Sequence, residues 1–396
     1  MTGSVPKQVD VAIIGSGLVG LFTAYQLMTR SNKTVAVFDR GPIGGVASPR
    51  AGGLLRHHYN HPLIVQLALR GHDFYSKFED IMDHTAGYTQ NGYVITASPE
   101  FADWLAGNVE MVRAEGVNTS LITARQATAL MPGMSFDGWK GAIAHDRDAA
   151  YAHPIEVMRG LGNMVRHSET ILVEGNGITG IDVVNGHVDG VWTESGDRVQ
   201  AEVVVNAGGA WGGTIAGMAG LDVPLTVSRI LQIYELRPQY RVNATTPSFS
   251  SDSLDLYARP SSGNRLLVGS RRYLDGPQDP GSLDLHHTNE EVAKTRKRFE
   301  QVSPGAKGAP VYQAWAGIDG DTPDFQPILG TVPDVEGLLL GIGLSAHGFK
   351  LGPIVGELLA DLIIHGQYQA IDARALGLER FASGELFPLG YKQMGA

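Results

Sequence analysis

Gly15, Gly17 and Gly20 stand in the run Gly15-Ser16-Gly17-Leu18-Val19-Gly20, and Asp39 with Arg40 follows about 20 residues later. These residue types at this spacing suit the pyrophosphate and ribose of a dinucleotide. Gly15 makes a tight turn, Gly17 lets the main chain approach a pyrophosphate, and Gly20 lets a helix pack close to a strand. Free N–H groups at the start of that helix, around Leu18 and Val19, face the phosphate charge. Asp39 then accepts hydrogen bonds from a ribose diol.

The flanking pattern is the one such a motif requires. The strand-like Val9–Ile14 precedes it, a helix over Leu18–Thr29 follows, and a second strand, Thr34–Asp39, ends in the acid. A second match, Gly175-Asn176-Gly177-Ile178-Thr179-Gly180, leads instead into turn-punctuated strand over 181–192 and reads as a hairpin turn. With no convincing second dinucleotide site, a reductase drawing on NAD(P)H is disfavoured.

Two further runs bear chemistry. Gly341-Ile342-Gly343-Leu344-Ser345-Ala346-His347-Gly348-Phe349-Lys350 lies between an apolar strand and the final helix. A helix starting there aims its positive end above the strand ends. For a flavin, that is the pyrimidine side of the ring, where negative charge gathers on reduction. The plainer alternative is a Gly-rich turn with a solvent-facing Lys350. Ala47-Ser48-Pro49-Arg50-Ala51-Gly52-Gly53-Leu54-Leu55-Arg56 follows soon after Asp39 and could wrap the cofactor, with Arg56 reaching its reactive face. From spacing alone, an ordinary loop with a surface arginine is favoured. His57, His58 and His61 invite a metal, but no carboxylate or further histidine stands at a fixed spacing to complete a site. His286 and His287 sit in a polar loop with no chemistry assigned to them.

The elements that must position these groups alternate along the chain. A long amphipathic helix is expected over 63–80, a strand over Tyr93–Thr96 and a helix over 100–115. An antiparallel meander is expected over 170–205, then strands over 230–236, 254–259 and 265–269, with a charged helix over 289–301. The chain closes with the strand Leu338–Ile342 and a helix beginning near Pro353. The ends are α/β and the middle antiparallel, which predicts a nucleotide domain discontinuous in sequence. The expected division is 1–84 plus 141–225 plus 315–396 for that domain, and 85–140 plus 226–314 for the other.

Composition narrows the function further. The 396 residues suffice for two domains, and 51 glycines without any repeat suit many tight turns around a large ligand. A net charge of -10 argues against nucleic acid, and Lys294–Arg298 reads as the solvated face of a helix. The chain has no cysteine, which excludes disulfides, iron–sulfur clusters, thiol nucleophiles and a flavin linked through cysteine. Lys7 runs straight into a strand with no secretory signal, and the longest helical apolar stretch, 354–364, carries Glu357 and Asp361. A soluble, cytoplasmic protein without a membrane span is expected.

Taken together, these runs resemble the D-amino-acid oxidase superfamily of FAD enzymes, nearest to its sarcosine oxidase and glycine oxidase branch. Val203-Val204-Val205-Asn206-Ala207-Gly208-Gly209-Ala210-Trp211 is similar to the family's strand and turn beneath the cofactor. Trp315-Ala316-Gly317-Ile318-Asp319-Gly320-Asp321-Thr322-Pro323-Asp324, leading to Pro327-Ile328-Leu329-Gly330, is similar to another family segment. The resemblance implies that Ser48, Gly52, Gly53 and Leu54 lie along pyrophosphate and flavin, and that Ile178 meets the adenine through its backbone. It assigns Ala207, Gly208, Trp211, Gly317, Ile318, Gly343, His347, Gly348, Phe349 and Lys350 to the cofactor as well. It further implies that Arg56 and Lys350 hold a substrate carboxylate, with Tyr257 and Arg271 as weaker pocket candidates. The family's covalent anchors are absent: there is no cysteine, and Arg50 stands where one group has a histidine. FAD is therefore expected to be non-covalent. Leu267 replaces a lysine tied to oxygen activation in sarcosine oxidases, which puts direct use of oxygen in doubt.

The expected fold is thus α/β, a Rossmann-type FAD-binding domain with a second substrate domain built on an antiparallel sheet (α+β). The expected reaction is oxidation of the C–N bond of an amine or amino-acid substrate, with oxygen or an electron-acceptor protein receiving the electrons. Two rivals stand beside it: a 2-hydroxy-acid or glycerol-phosphate dehydrogenase, which needs a base such as His57 or His347, and an electron-relay subunit. A partner subunit is left open.

Overall fold

In a computed structural model of the chain, which describes residues 4–276 and 278–389, two large sheets share the work of building one cavity. The first is mostly parallel. At its centre Gln8–Ile14 pairs in parallel with Val35–Asp39 on one side and Arg198–Asn206 on the other, with Ile13 opposite Val37 and Val205. Val335–Ile342 lies beyond Arg198–Asn206, and Ile171–Glu174 lies beyond Val35–Asp39. Val11 and Ile13 enter one core with Leu21 and Phe22, while Ala12 and Ile14 enter another with Val204 and Leu340. A strand covered on both faces reads as a continuous apolar run rather than an alternating one, as Val11–Ile14 does.

The second sheet runs in the order Val311–Ile318, Arg229–Leu236, Arg265–Tyr273, Leu256–Ser261, Ser248–Ser251, Tyr93–Thr96, Ile143–Asp146, Thr119–Leu121. Every pair is antiparallel except Ser248–Ser251 with Tyr93–Thr96. A small third sheet joins Leu54–Leu55 to Ala150–Tyr151 and Thr89–Gln90. The second sheet also takes in Ile143–Asp146, which lies beyond the expected boundary at 140. Val311–Ile318 crosses the expected boundary at 315.

Three local expectations are corrected. Ile171–Glu174 leaves the expected meander and pairs in parallel with Val35–Asp39, so the turn at Gly175–Gly177 joins two strands that do not pair with each other. The expected helix over 63–80 is two helices, Pro62–Ser76 and Phe78–Met82, interrupted at Lys77. The last helix spans Gly348–His365 and contains Pro353 instead of starting there. Proline lacks the N–H that the Phe349 carbonyl would accept, four residues back. The buried Tyr75 hydroxyl takes its place, donating to that carbonyl at 2.6 Å while its ring stacks on Phe349. A partner remote in sequence thus allows proline inside the helix. No helix of the described residues is long and apolar enough to cross a membrane.

Candidate active site

Two helix N-termini meet at a cavity of about 370 Å³: that of Leu18–Arg30 and that of Gly348–His365. Gly15, Gly17, Leu18 and Val19 line it from the first turn, with Asp39, Arg40, Ala207, Gly208 and Trp211 from neighbouring strand ends. Gly15 has φ +107°, and a Cβ there would lie 2.5 Å from the Ala207 carbonyl oxygen, so only glycine fits. The Leu18 N–H donates to Ser48 Oγ at 3.0 Å, tying the Ala47–Gly53 loop over the helix start. Asp39 accepts from the Ser16 N–H and hydroxyl, both at 2.7 Å, and from the Gly41 N–H at 2.9 Å. Arg40 lies over the Trp211 ring, 3.9 Å from its centroid.

Ser48, Gly52, Gly53, Leu54, Arg56, Ile178, Gly317, Ile318, His347, Gly348, Phe349 and Lys350 also line the cavity. Gly20 and Gly343 do not. A Cβ on Gly20 would run into the Gly15 carbonyl, the close helix–strand contact read from the motif. Gly343, at φ +67°, makes the turn against Thr322. From the second sheet come Tyr257 and Arg271. A Cβ on Gly52 would sit 2.5 Å from the Tyr257 hydroxyl, and one on Gly269 would overlap the same ring, so two glycines make room for this tyrosine. Leu267 is buried and does not line the cavity.

The charges are unevenly spread. His347 is buried, and its pKa is pushed well below the ordinary histidine value, first by burial and then by Lys350, Arg56, Arg229 and Arg271. Its Nδ1 finds no hydrogen-bond partner among the described residues. Lys350 is buried and reaches the Ala346 carbonyl at 3.5 Å. Arg56 donates to the His58 carbonyl and lies over the Tyr59 ring, 4.4 Å from its centroid. Arg271 pairs with Asp255 at 2.6 Å, and Arg229 pairs with Asp321 at 2.7 Å. Burial pushes the Tyr257 phenol up to about 12, which keeps it a neutral O–H.

The histidines beside Arg56 are structural supports. His57 Nδ1 bonds Asp146 at 3.0 Å and its Nε2 meets His72 at 2.6 Å, while His58 sits between Asn108 and Thr119 at 2.8 Å each. His57 is buried outside the cavity lining, so it has no path to a substrate hydroxyl there. Sequence reasoning missed Tyr93, Asp255, Arg229 and the cavity role of Asp319. Asp319 stands inside a quoted run, whereas Tyr93 and Arg229 come from strands, and Asp255 from the turn before Leu256–Ser261, that carry no motif.

These residues suit FAD. A glycine cradle, two helix N-termini and the orphaned Nδ1 of buried His347 belong to one cavity. Comparison with known proteins agrees. The family described as FAD dependent oxidoreductase matches residues 10–362. Glycine oxidase of Geobacillus kaustophilus is 27% identical, covering 89% of this chain and 92% of its own. FAD-dependent oxidoreductase domain-containing protein 1 of Bos taurus is also 27% identical, covering 96% and 86%. The crystal structure of L-proline dehydrogenase from P. horikoshii superposes with a TM-score of 0.88 at 25% identity, over 97% of this chain and 100% of that one.

Proposed function

This chain belongs to the FAD dependent oxidoreductase family, and from that premise we propose that it oxidises the C–N bond of a carboxylate-bearing amine. The substrate class is an amino acid or an N-methyl amino acid of the sarcosine or glycine kind, and the FAD is held without a covalent bond. The observation that carries this reading is the presence of Arg56 and Lys350 on one cavity with the helix N-terminus at Gly348. A carboxylate leaving water needs charged donors, and two of them fix its orientation as well as its position.

Gly15, Gly17, Leu18, Ser48, Gly52 and Gly53 would hold the pyrophosphate and the ring system, and Gly317, Ile318 and the 347–350 turn the remaining edge. When bound, FAD supplies the two-electron acceptor to which the substrate's α-carbon or N-methyl hydrogen passes as hydride. The chain's own part is to seat the carboxylate on Arg56 and Lys350 and to present the neutral Tyr257 hydroxyl. His347, kept neutral by burial and then by its cationic neighbours, adds a donor or acceptor without adding charge. The imine product is hydrolysed by water.

The test is anaerobic titration of the holoprotein with amino acids, N-methyl amino acids, amines and 2-hydroxy acids, following flavin absorbance. Bleaching by an amine acid supports the reading. Bleaching by hydroxy acids alone replaces it with a hydroxy-acid dehydrogenase, and no bleaching at all favours an electron-relay role. Admitting air after bleaching distinguishes oxygen from an electron-acceptor protein as the terminal acceptor.

A further inference from the structure

An amine must lose its proton before its lone pair can assist hydride departure, and the reading above names no group to take it. One cavity-lining carboxylate stands beside the anion clamp. Asp319 follows directly on Gly317 and Ile318, lines the cavity, and accepts the Ala346 N–H at 2.5 Å through one oxygen and the Gly320 N–H at 2.9 Å through the other. The Ala346 carbonyl in turn accepts from Lys350 Nζ. A single residue therefore links a carboxylate to the ammonium of the clamp. An α-amino carboxylate, whose opposite charges are one carbon apart, needs a cation and an anion set side by side in this way.

The backbone here is forced into place. Ser345 and Ala346 both adopt left-handed conformations, at φ +48° and +68°, although neither is glycine. The Ser345 hydroxyl donates to the Gly343 carbonyl and accepts from the Thr322 N–H, and the Ser345 N–H reaches the Gly320 carbonyl. Backbone held in a sparsely populated region persists only where its surroundings over-determine it, commonly at functional sites. Two N–H donors occupy about half the lone-pair positions of a carboxylate, leaving acceptor capacity for a ligand.

We propose that Asp319 seats the substrate's ammonium group and takes its proton, serving as the base of amine oxidation. The step is a proton transfer: the N–H bond breaks, its electron pair stays on nitrogen, and the proton joins an Asp319 oxygen. The amine becomes neutral and Asp319 becomes a carboxylic acid. The surroundings suit this exchange. Burial and the neighbouring Asp321 carboxylate raise the Asp319 pKa to about 6, against the Ala346 and Gly320 amides and Arg229, which lower it. Arg229 and Asp321 are paired with each other, as are Arg271 and Asp255, and His347, Lys350, Arg56, Arg50, Tyr93 and Tyr257 are further charged or titratable side chains lining the cavity.

The inference rests on the amine-oxidising reading, and the experiment separates the two. Binding of glycine or sarcosine and of acetate to the holoprotein is compared between pH 5 and 8 by flavin absorbance perturbation, with 2-aminoisobutyrate, which has no α-hydrogen to give up, standing in for an amine acid that reduces the flavin. The ammonium keeps its charge across this range, and acetate reports the shared clamp. The expected result is a ratio of amine-acid to acetate affinity that rises several-fold as Asp319 ionises. In Asp319→Asn the ratio flattens and anaerobic flavin reduction slows by roughly 10²-fold or more, and Asp319→Glu recovers part of both. A ratio in wild-type protein that is flat with pH overturns the proposal even if the Asn variant does not fold. Unchanged reduction in a folded Asn variant overturns it as well. If no amine acid reduces the flavin, the underlying reading falls and takes the base with it.

Discussion

Arg56 is held by its own neighbourhood: its guanidinium donates to the His58 carbonyl and covers Tyr59, and the following residues are pinned by Asp146, Asn108 and Thr119. A charge fixed in this way should bind a carboxylate with little reorganisation. Truncating one partner of such a pair costs about 2–5 kcal/mol. Arg56→Ala should therefore weaken acetate binding to the holoprotein by roughly 30-fold or more, with FAD content unchanged. Equal acetate affinity in the two proteins would remove Arg56 from the site. A second residue-scale expectation concerns Tyr257, which occupies the space left by two missing Cβ atoms. Gly269→Ala puts a methyl group into that ring, at about 1–3 kcal/mol of overpacking. The variant should show a raised KM and a lowered melting temperature, and a normal KM would mean that Tyr257 lies away from the substrate. Arg56 and Lys350 were legible because each stands in a run with a recognisable neighbourhood. Asp255 was not, since nothing in Leu254–Arg259 announces that its carboxylate pairs with Arg271 sixteen residues on.

The element that matters most at this site is the helix Gly348–His365, and its position depends on groups far away in sequence. Tyr75 supplies the hydrogen bond that Pro353 withholds, and Gly71 lies against the Lys350 carbonyl with no room for a Cβ. Both belong to Pro62–Ser76, so that helix sets where Phe349 and Lys350 sit. Tyr75→Phe leaves the buried Phe349 carbonyl without a donor, at about 1–3 kcal/mol. Its expected effects are a lower melting temperature and weaker acetate binding together. A loss of stability with acetate affinity intact would show that the helix start is held by other contacts. This dependence explains which elements could be read from sequence. Gln8–Ile14, Leu18–Arg30 and Val35–Asp39 follow from local pattern because a strand, a glycine turn and a helix are contiguous there. The start of the last helix does not, because proline's penalty is relieved by a tyrosine nearly three hundred residues earlier. Ile171–Glu174 is similar: its short apolar run fits a meander as well as a parallel edge, and only the pairing with Val35–Asp39 decides.

Over the whole molecule, the sheet order was beyond local pattern, because strands from both ends of the chain meet in the first sheet and residues from two separate segments, 93–146 and 229–318, build the second. The way burial gathers titratable groups has a consequence that can be measured. Histidines 58, 61, 72, 145, 153 and 347 all have pKa values below the ordinary histidine value, with burial as the first cause of each. The folded chain holds them neutral, whereas the unfolded chain protonates them from about pH 6.5 downward. The unfolded state therefore binds more protons, and stability falls as pH falls through that window. For His72, lowered to about 4 by burial and by His57, the full difference is about 3 kcal/mol. Asp319 acts in the opposite sense: its raised pKa lets the folded chain take up a proton between about 6 and the ordinary aspartate value, which adds stability on acidification. One carboxylate can offset one such histidine but not six. Carboxylates held low, such as Asp146 and Asp324, extend the loss at still lower pH. With FAD concentration fixed, since bound ligand itself raises the midpoint, the unfolding midpoint of the holoprotein should drop steadily from pH 7 to pH 5. His72→Phe should reduce the slope, because the replacement has no proton to gain on unfolding. A midpoint that holds level or rises over that interval would mean that the histidines are already charged in the folded chain, and that His347 is then a cation in the cavity rather than a neutral neighbour of the clamp.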